Sequence, residues 1–137
     1  MSRIVLFDNE AVQALGDRSH LKHQQVLSQA QFVTNRKLRA EEFVLAVPLA
    51  VRVEAGWDRT SASWAFANRL RIVDIPLDGP AANLGATIRS ATGVSVADAH
   101  LGAVIRTAAV DHVTVVTSDP DDMRLLAGDT PITVVTV

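Results

Sequence analysis

The chain has 137 residues, 48% of them apolar, a formal net charge of −2 and no cysteine. That length suits one ordinary domain, residues 1–137, with a real core. The lack of cysteine excludes disulfides and thiolate metal sites, and no apolar run reaches the roughly 18 residues of a membrane span. The N-terminus meets Asp8 and Glu10 too early for the apolar stretch of a signal peptide, so a cytoplasmic location without membrane attachment is expected. The charge argues against a broadly basic nucleic-acid binder. However, 11 of the 13 basic residues are arginine, whose planar fork grips phosphate. Six aromatic residues and no tyrosine offer no visible stacking platform for single-stranded bases.

In chain order, RIVLF (Arg3–Phe7) reads as a short buried strand. NEAVQALG then runs helical and stops at Gly16, a good terminator. SHLKHQQVLSQAQFVTNRKL places Leu21, Val26 or Leu27, Ala30 and Val33 or Thr34 at roughly helical spacing. FVLAV (Phe43–Val47) is the second strand. Pro48 cannot donate to a central ladder but suits the first turn of a helix. PLAVRVEAGW is therefore predicted to be helical despite its strand-like residues, and SASWAFANRL is a second short helix. RIVDI (Arg71–Ile75) is the third strand, closed by Pro76. GPAANLGATIRSAT is a helix ended by Gly93, and VADAHLGAVIRTAA is another. HVTVVT (His112–Thr117) is the fourth strand, DPDDMRLLAG the next helix and ITVVTV the last strand. Such alternation predicts an α/β protein whose parallel sheet, of about five strands, is covered by helices on both faces.

Acidic residues mark four places: Asp8 after the first strand, Glu54 on the helix after the second, Asp98 at a helix start, and Asp119, with Asp121 and Asp122, after the fourth strand. Helix capping accounts for three of these singly. Asp8 can be an N-cap, Ser95-x-x-Asp98 has the form of a capping box, and Asp119-Pro120-x-Asp122 has an N-cap, a proline at the first helical position and an acid at the third. Capping does not explain Glu54, which as a bland alternative is a partly exposed helical glutamate. In a parallel sheet, however, strand-to-helix turns share the carboxyl edge where ligands bind. If Asp98 and Glu54 lean toward the same crevice, repulsion between like charges favours a cation there. All-oxygen donors point to a hard ion, Mg²⁺ or Mn²⁺.

The segments IVLFDNEAVQAL, VPLAVRVEAGW, SVADAHLGAVI and VTVVTSDPDDMRLL resemble the four acidic motifs of the PIN domain, and closely those of its VapC-type toxins. The resemblance runs over nearly the whole chain. It implies a three-layer PIN-like fold and a Mg²⁺-dependent endoribonuclease, the toxin of a VapBC toxin–antitoxin pair, in which metal-activated water hydrolyses RNA phosphodiester bonds. It also implies a homodimer inhibited by a small VapB-type antitoxin lying over the acidic groove. Asp8, Glu54, Asp98 and Asp119 would be the catalytic, metal-holding carboxylates and Asp122 a further metal acid. Thr117 and Ser118 match the hydroxyl positions before Asp119. The family places a small residue and then Asn or Ser after the first Asp; here Asn9 and Glu10 stand there. Asn9 could supply a neutral amide oxygen, and Glu10 adds an acid.

Arg52 and Arg59, near Glu54, are candidates for phosphate contact, with a solvated position as the default. His20 and His23 are expected at the surface, and His100 no nearer than behind the acids. Trp57 and Trp64 are expected to pack a helical hairpin or an interface. Two rivals remain. One is a PIN-like protein that binds RNA or an antitoxin without cleaving, which Glu10 keeps in play. The other is a receiver-type phospho-acceptor, which ranks low because its chemistry wants a lysine after a late strand and the only lysines are Lys22 and Lys37.

Overall fold

The structure is a computed structural model and describes residues 2–35 and 42–137. Five strands, β1 (Ser2–Phe7), β2 (Glu42–Pro48), β3 (Ile72–Ile75), β4 (His112–Thr117) and β5 (Thr133–Thr136), form one sheet in the order β3-β2-β1-β4-β5. Every pairing is parallel; Ile4 lies opposite Val44 on one side and Val113 on the other. The burial pattern explains the choice of centre. Ile4 to Phe7 are buried without alternation, as a strand covered on both faces must be. The edge strands carry exposed Val73, Thr133 and Thr136.

The helices are α1 (Asn9–Gly16), α2 (His23–Thr34), α3 (Leu49–Ala55), α4 (Ala65–Arg69, after a 3₁₀ turn at Ala62–Trp64), α5 (Gly79–Thr92), α6 (Val96–Thr107) and α7 (Pro120–Ala127). The chain steps from β1 out to β3, then crosses back to β4 and β5. Right-handed crossovers therefore put the outward and returning helices on opposite faces. Small residues make α6 the centre of its layer: Ala97, Ala99, Gly102 and Ala103 are buried, α5 and α7 pack on it, and α3 reaches it as well. A Cβ on Gly102 would lie 3.1 Å from Ile88 Cδ1 and 3.3 Å from the Leu126 carbonyl oxygen.

Some boundaries depart from expectation. α2 starts at His23, because Asp17 to Lys22 form a tight turn in which the Asp17 carboxylate accepts from the Ser19 N–H at 2.9 Å. The predicted tail of that helix, residues 36–38, lies outside the described residues. Pro48 is the last residue of β2, in register with Ile75, and the N-cap of α3 rather than its first turn. α3 stops at Ala55, short of Trp57. Gly56 takes φ +76° there, and the Trp57 N–H reaches back to the Arg52 carbonyl at 2.9 Å. Among the described residues no helix is long and apolar enough to cross a membrane.

Candidate functional site

Strand order reverses between β1 and β4, and ligands of open α/β sheets bind outside the carboxyl ends of the strands at such a point. Asp8 follows β1 there, and Thr117 ends β4. Asp8 caps α1: its Oδ1 accepts the Ala11 N–H at 2.8 Å, and its Oδ2 accepts the Thr117 hydroxyl at 2.6 Å. The same Thr117 oxygen accepts the Asp119 N–H at 2.9 Å. One hydroxyl thus joins two of the turns. Burial pushes the Asp8 carboxyl above its ordinary range, against the hydrogen bonds from Thr117 and Ala11; Glu10 raises it further and Lys22 opposes.

Asp98 is half-buried at the start of α6, where Ser95 Oγ accepts its N–H at 3.1 Å. Its carboxyl is also pushed up, first by burial and then by the charges of Glu54, Asp8 and Asp122, with Ser95 opposing. Acids from the α1 cap, α3 and α7 therefore act on one carboxyl of α6. Glu54 is exposed on the rim of a groove of about 440 Å³ shared with Val53, Leu77 and Val96. Asp119 caps α7, its Oδ1 accepting the Asp122 N–H at 3.2 Å, and its carboxylate raises Asp122. The charge of Asp122 also bears on Asp98.

His100 is buried. Its Nδ1 accepts the Ala50 N–H at 3.3 Å, so Nε2 carries the proton and donates to the Pro76 carbonyl at 3.2 Å. Burial lowers its pKa and keeps it neutral. It braces the start of α3 against α6.

The other singled-out residues sit as follows. Asn9 Oδ1 accepts from Gln13 Nε2 at 3.2 Å. Glu10 is 3.4 Å from Lys22 Nζ and 4.0 Å from His20 Nε2. The Ser118 hydroxyl, then Lys22 and His20, hold the Glu10 carboxyl below its usual range, although Ser118 Oγ is itself buried without a well-aligned partner. Arg52 and Arg59 are not simply solvated: both pair with Asp74 on β3, at 3.0 and 2.9 Å. Arg59 also lies over Trp57 at 4.4 Å, and Trp57 stacks on Trp64 with ring centres 5.6 Å apart. His23 is not at the surface. It is buried, its Nδ1 2.8 Å from the Ala14 carbonyl oxygen. Sequence reasoning missed Lys22 and Asp74, whose partners are distant along the chain and leave no local signal.

The donors in the crevice are carboxylate and hydroxyl oxygens, which suit a hard divalent ion. Among the described residues no three acids or histidines stand as a ready-made cage. The fit is therefore one of donor chemistry and charge, with Glu54 and Asp122 as exposed side chains.

The fold and crevice define a doubly wound α/β protein with an acidic site at the strand-order reversal. No protein-family model matches the sequence, and no curated protein sequence matches it significantly. Four chains of solved structures do match. One belongs to the crystal structure of VapBC2 from Rickettsia felis bound to a DNA fragment from their promoter, with a TM-score of 0.54 and 12% identity over 98% of each chain. Identity that low speaks for the fold alone: the chain has a three-layer, PIN-like α/β fold.

Proposed function

We propose that this chain is a divalent-metal-dependent endoribonuclease of the VapC type. The observation that carries the proposal is that the charges of Glu54, Asp8 and Asp122, from elements far apart in sequence, all bear on the half-buried Asp98 carboxyl. Like charges so gathered are unfavourable unless a cation joins them. Asp8, Glu54, Asp98 and Asp119 would hold Mg²⁺ or Mn²⁺, with Asp122 beside them and Asn9 and Ser118 in support. The bound ion would supply activation of the attacking water and neutralisation of charge on the phosphate. The Thr117 hydroxyl fixes the Asp8 carboxylate, and His100 keeps the start of α3 against α6. Any phosphate taken by Arg52 or Arg59 would be shared with Asp74. The likeness to a chain of a VapBC2 complex supports a small VapB-type antitoxin as partner. Exposed Val53, Leu77 and Val96 beside Glu54 support a protein surface there. A homodimer, an RNA substrate and a cytoplasmic location complete the proposal.

The partner-free chain should cut RNA only when Mg²⁺ or Mn²⁺ is added, should stop on chelation, and should lose at least about 100-fold in rate as Asp98→Asn. Cleavage by Asp98→Asn at the parent rate would sink the proposal.

A second reading, a PIN-like protein that binds RNA or antitoxin without cutting, is favoured by the Glu10–Lys22 pair, an internal cation beside the crevice. Magnesium titration separates the two, since the silent form binds its partner with no metal-dependent turnover.

A further inference from the structure

We propose that Lys22 contacts a backbone phosphate of the RNA, held by Glu10 at the mouth of the acidic crevice; this rests on the nuclease reading above. An acidic crevice repels a phosphodiester, so productive binding calls for protein cations as well as metal. Several arginines are already engaged. Arg52 and Arg59 pair with Asp74, Arg106 Nε donates to the Leu126 carbonyl, and Arg89 Nε donates to the Val94 carbonyl.

Lys22 is placed differently. Its Nζ lies 3.4 Å from Glu10 Oε1, and its side chain keeps 32% of its surface exposed. An ammonium has three donors, and Glu10 takes one side of it. Exposed pairs of this kind are weak and do not lock the lysine away from another anion. The backbone beneath is fixed. The Lys22 N–H donates to His20 Nδ1 at 3.0 Å, and its carbonyl accepts the Val26 N–H at 3.0 Å in the start of α2. Because His20 Nδ1 accepts, the ring proton sits on Nε2, the nitrogen 4.0 Å from Glu10. Glu10 lies in the first turn of α1, directly after Asp8 and Asn9, so the anchor for Lys22 is part of the crevice wall. The Ser118 hydroxyl lies by the same carboxylate and holds it in its charged form beside Lys22. A compact charge on a flexible stem suits a contact that tolerates any RNA sequence.

A cation in this position attracts phosphate and repels a divalent ion. That gives Lys22→Gln a signature that a merely structural loss would not produce. Binding of a short fluorescein-labelled single-stranded RNA is measured by anisotropy in saturating Ca²⁺, and Mn²⁺ binding by electron paramagnetic resonance without RNA. Lys22→Gln should bind RNA several-fold more weakly, with the slope of log affinity against log salt reduced by about 0.7. It should bind Mn²⁺ as tightly as the parent or more so, and Lys22→Arg should match the parent in both assays. Unchanged RNA affinity and slope in Lys22→Gln, in a parent that does bind RNA, overturns the Lys22 contact and leaves the nuclease reading standing. Weakening of both ligands marks structural damage and also overturns it. A parent that binds neither RNA nor Mn²⁺ takes the nuclease reading down together with the contact.

Discussion

At the scale of single residues, Thr117 has the clearest double duty. It is fully buried, donates to Asp8 and accepts from the Asp119 N–H, so one hydroxyl satisfies groups on two strand ends. Thr117→Val keeps the shape but leaves a buried carboxylate and an amide short of a partner. The expected loss in unfolding free energy is about 1–3 kcal/mol, read by urea titration. Asp98 makes a prediction of opposite sign. Its carboxyl is raised in the folded protein, so the ionised form at neutral pH destabilises the metal-free fold. That penalty fades as pH falls through the raised value toward the ordinary aspartate range, because the proton is bound more tightly in the folded state. Metal-free Asp98→Asn should therefore melt higher than the parent at neutral pH, with the gap closing on acidification. Affinity for the divalent ion should run the other way in the parent, falling with acid from above the usual carboxylate range. A melting-temperature series across pH, with and without Mn²⁺, reads both. The two trends together describe a site that trades stability for charge.

Caps and contacts decide the elements. Asp8, Ser95 and Asp119 each cap a helix, and each cap also sits at or next to an acid of the crevice. Structural and functional explanations are thus not rivals here. A cap uses one carboxylate oxygen and fixes the rest of the group at the carboxyl edge of the sheet. Ser95→Ala should cost about 1 kcal/mol through loss of the α6 cap. Gly16 shows the limit set by packing. A Cβ there would run into the Trp64 ring, which is itself stacked on Trp57. Gly16→Ala should lower stability by about 1–3 kcal/mol and shift tryptophan fluorescence, while Gln13→Ala on the exposed face of α1 should be nearly silent.

For the whole molecule, the sheet order is the controlling fact. It brings the end of β1 beside the end of β4, although 109 residues separate Asp8 from Thr117. The returning helices then carry Asp98 and Asp122 toward the same edge, while α3 brings Glu54 from the other direction. The tight α5–α6–α7 layer keeps those acids in place. Gly102→Val would force Ile88 and the Leu126 backbone apart. It should lower stability by about 1–3 kcal/mol and weaken Mn²⁺ binding although the residue touches no acid, which a calorimetric titration beside a thermal melt would show.

The sequence by itself determined the alternation of strands and helices, the parallel sheet, the three caps and the four places where acids stand, because these follow from local patterning and short-range hydrogen bonds. It misplaced the start of α2 and the ends of α3, where turn chemistry at Asp17 and a left-handed Gly56 outweighed helical spacing. It put His23 and the two arginines in solvent, although His23 is buried against Ala14 and Asp74 claims both guanidinium groups. Only the tertiary structure decided that the charges of Glu54, Asp8 and Asp122 bear on Asp98, and that Lys22 stands beside Glu10. Those relations depend on strand order and helix packing, and charge acts through space between residues that no sequence window spans.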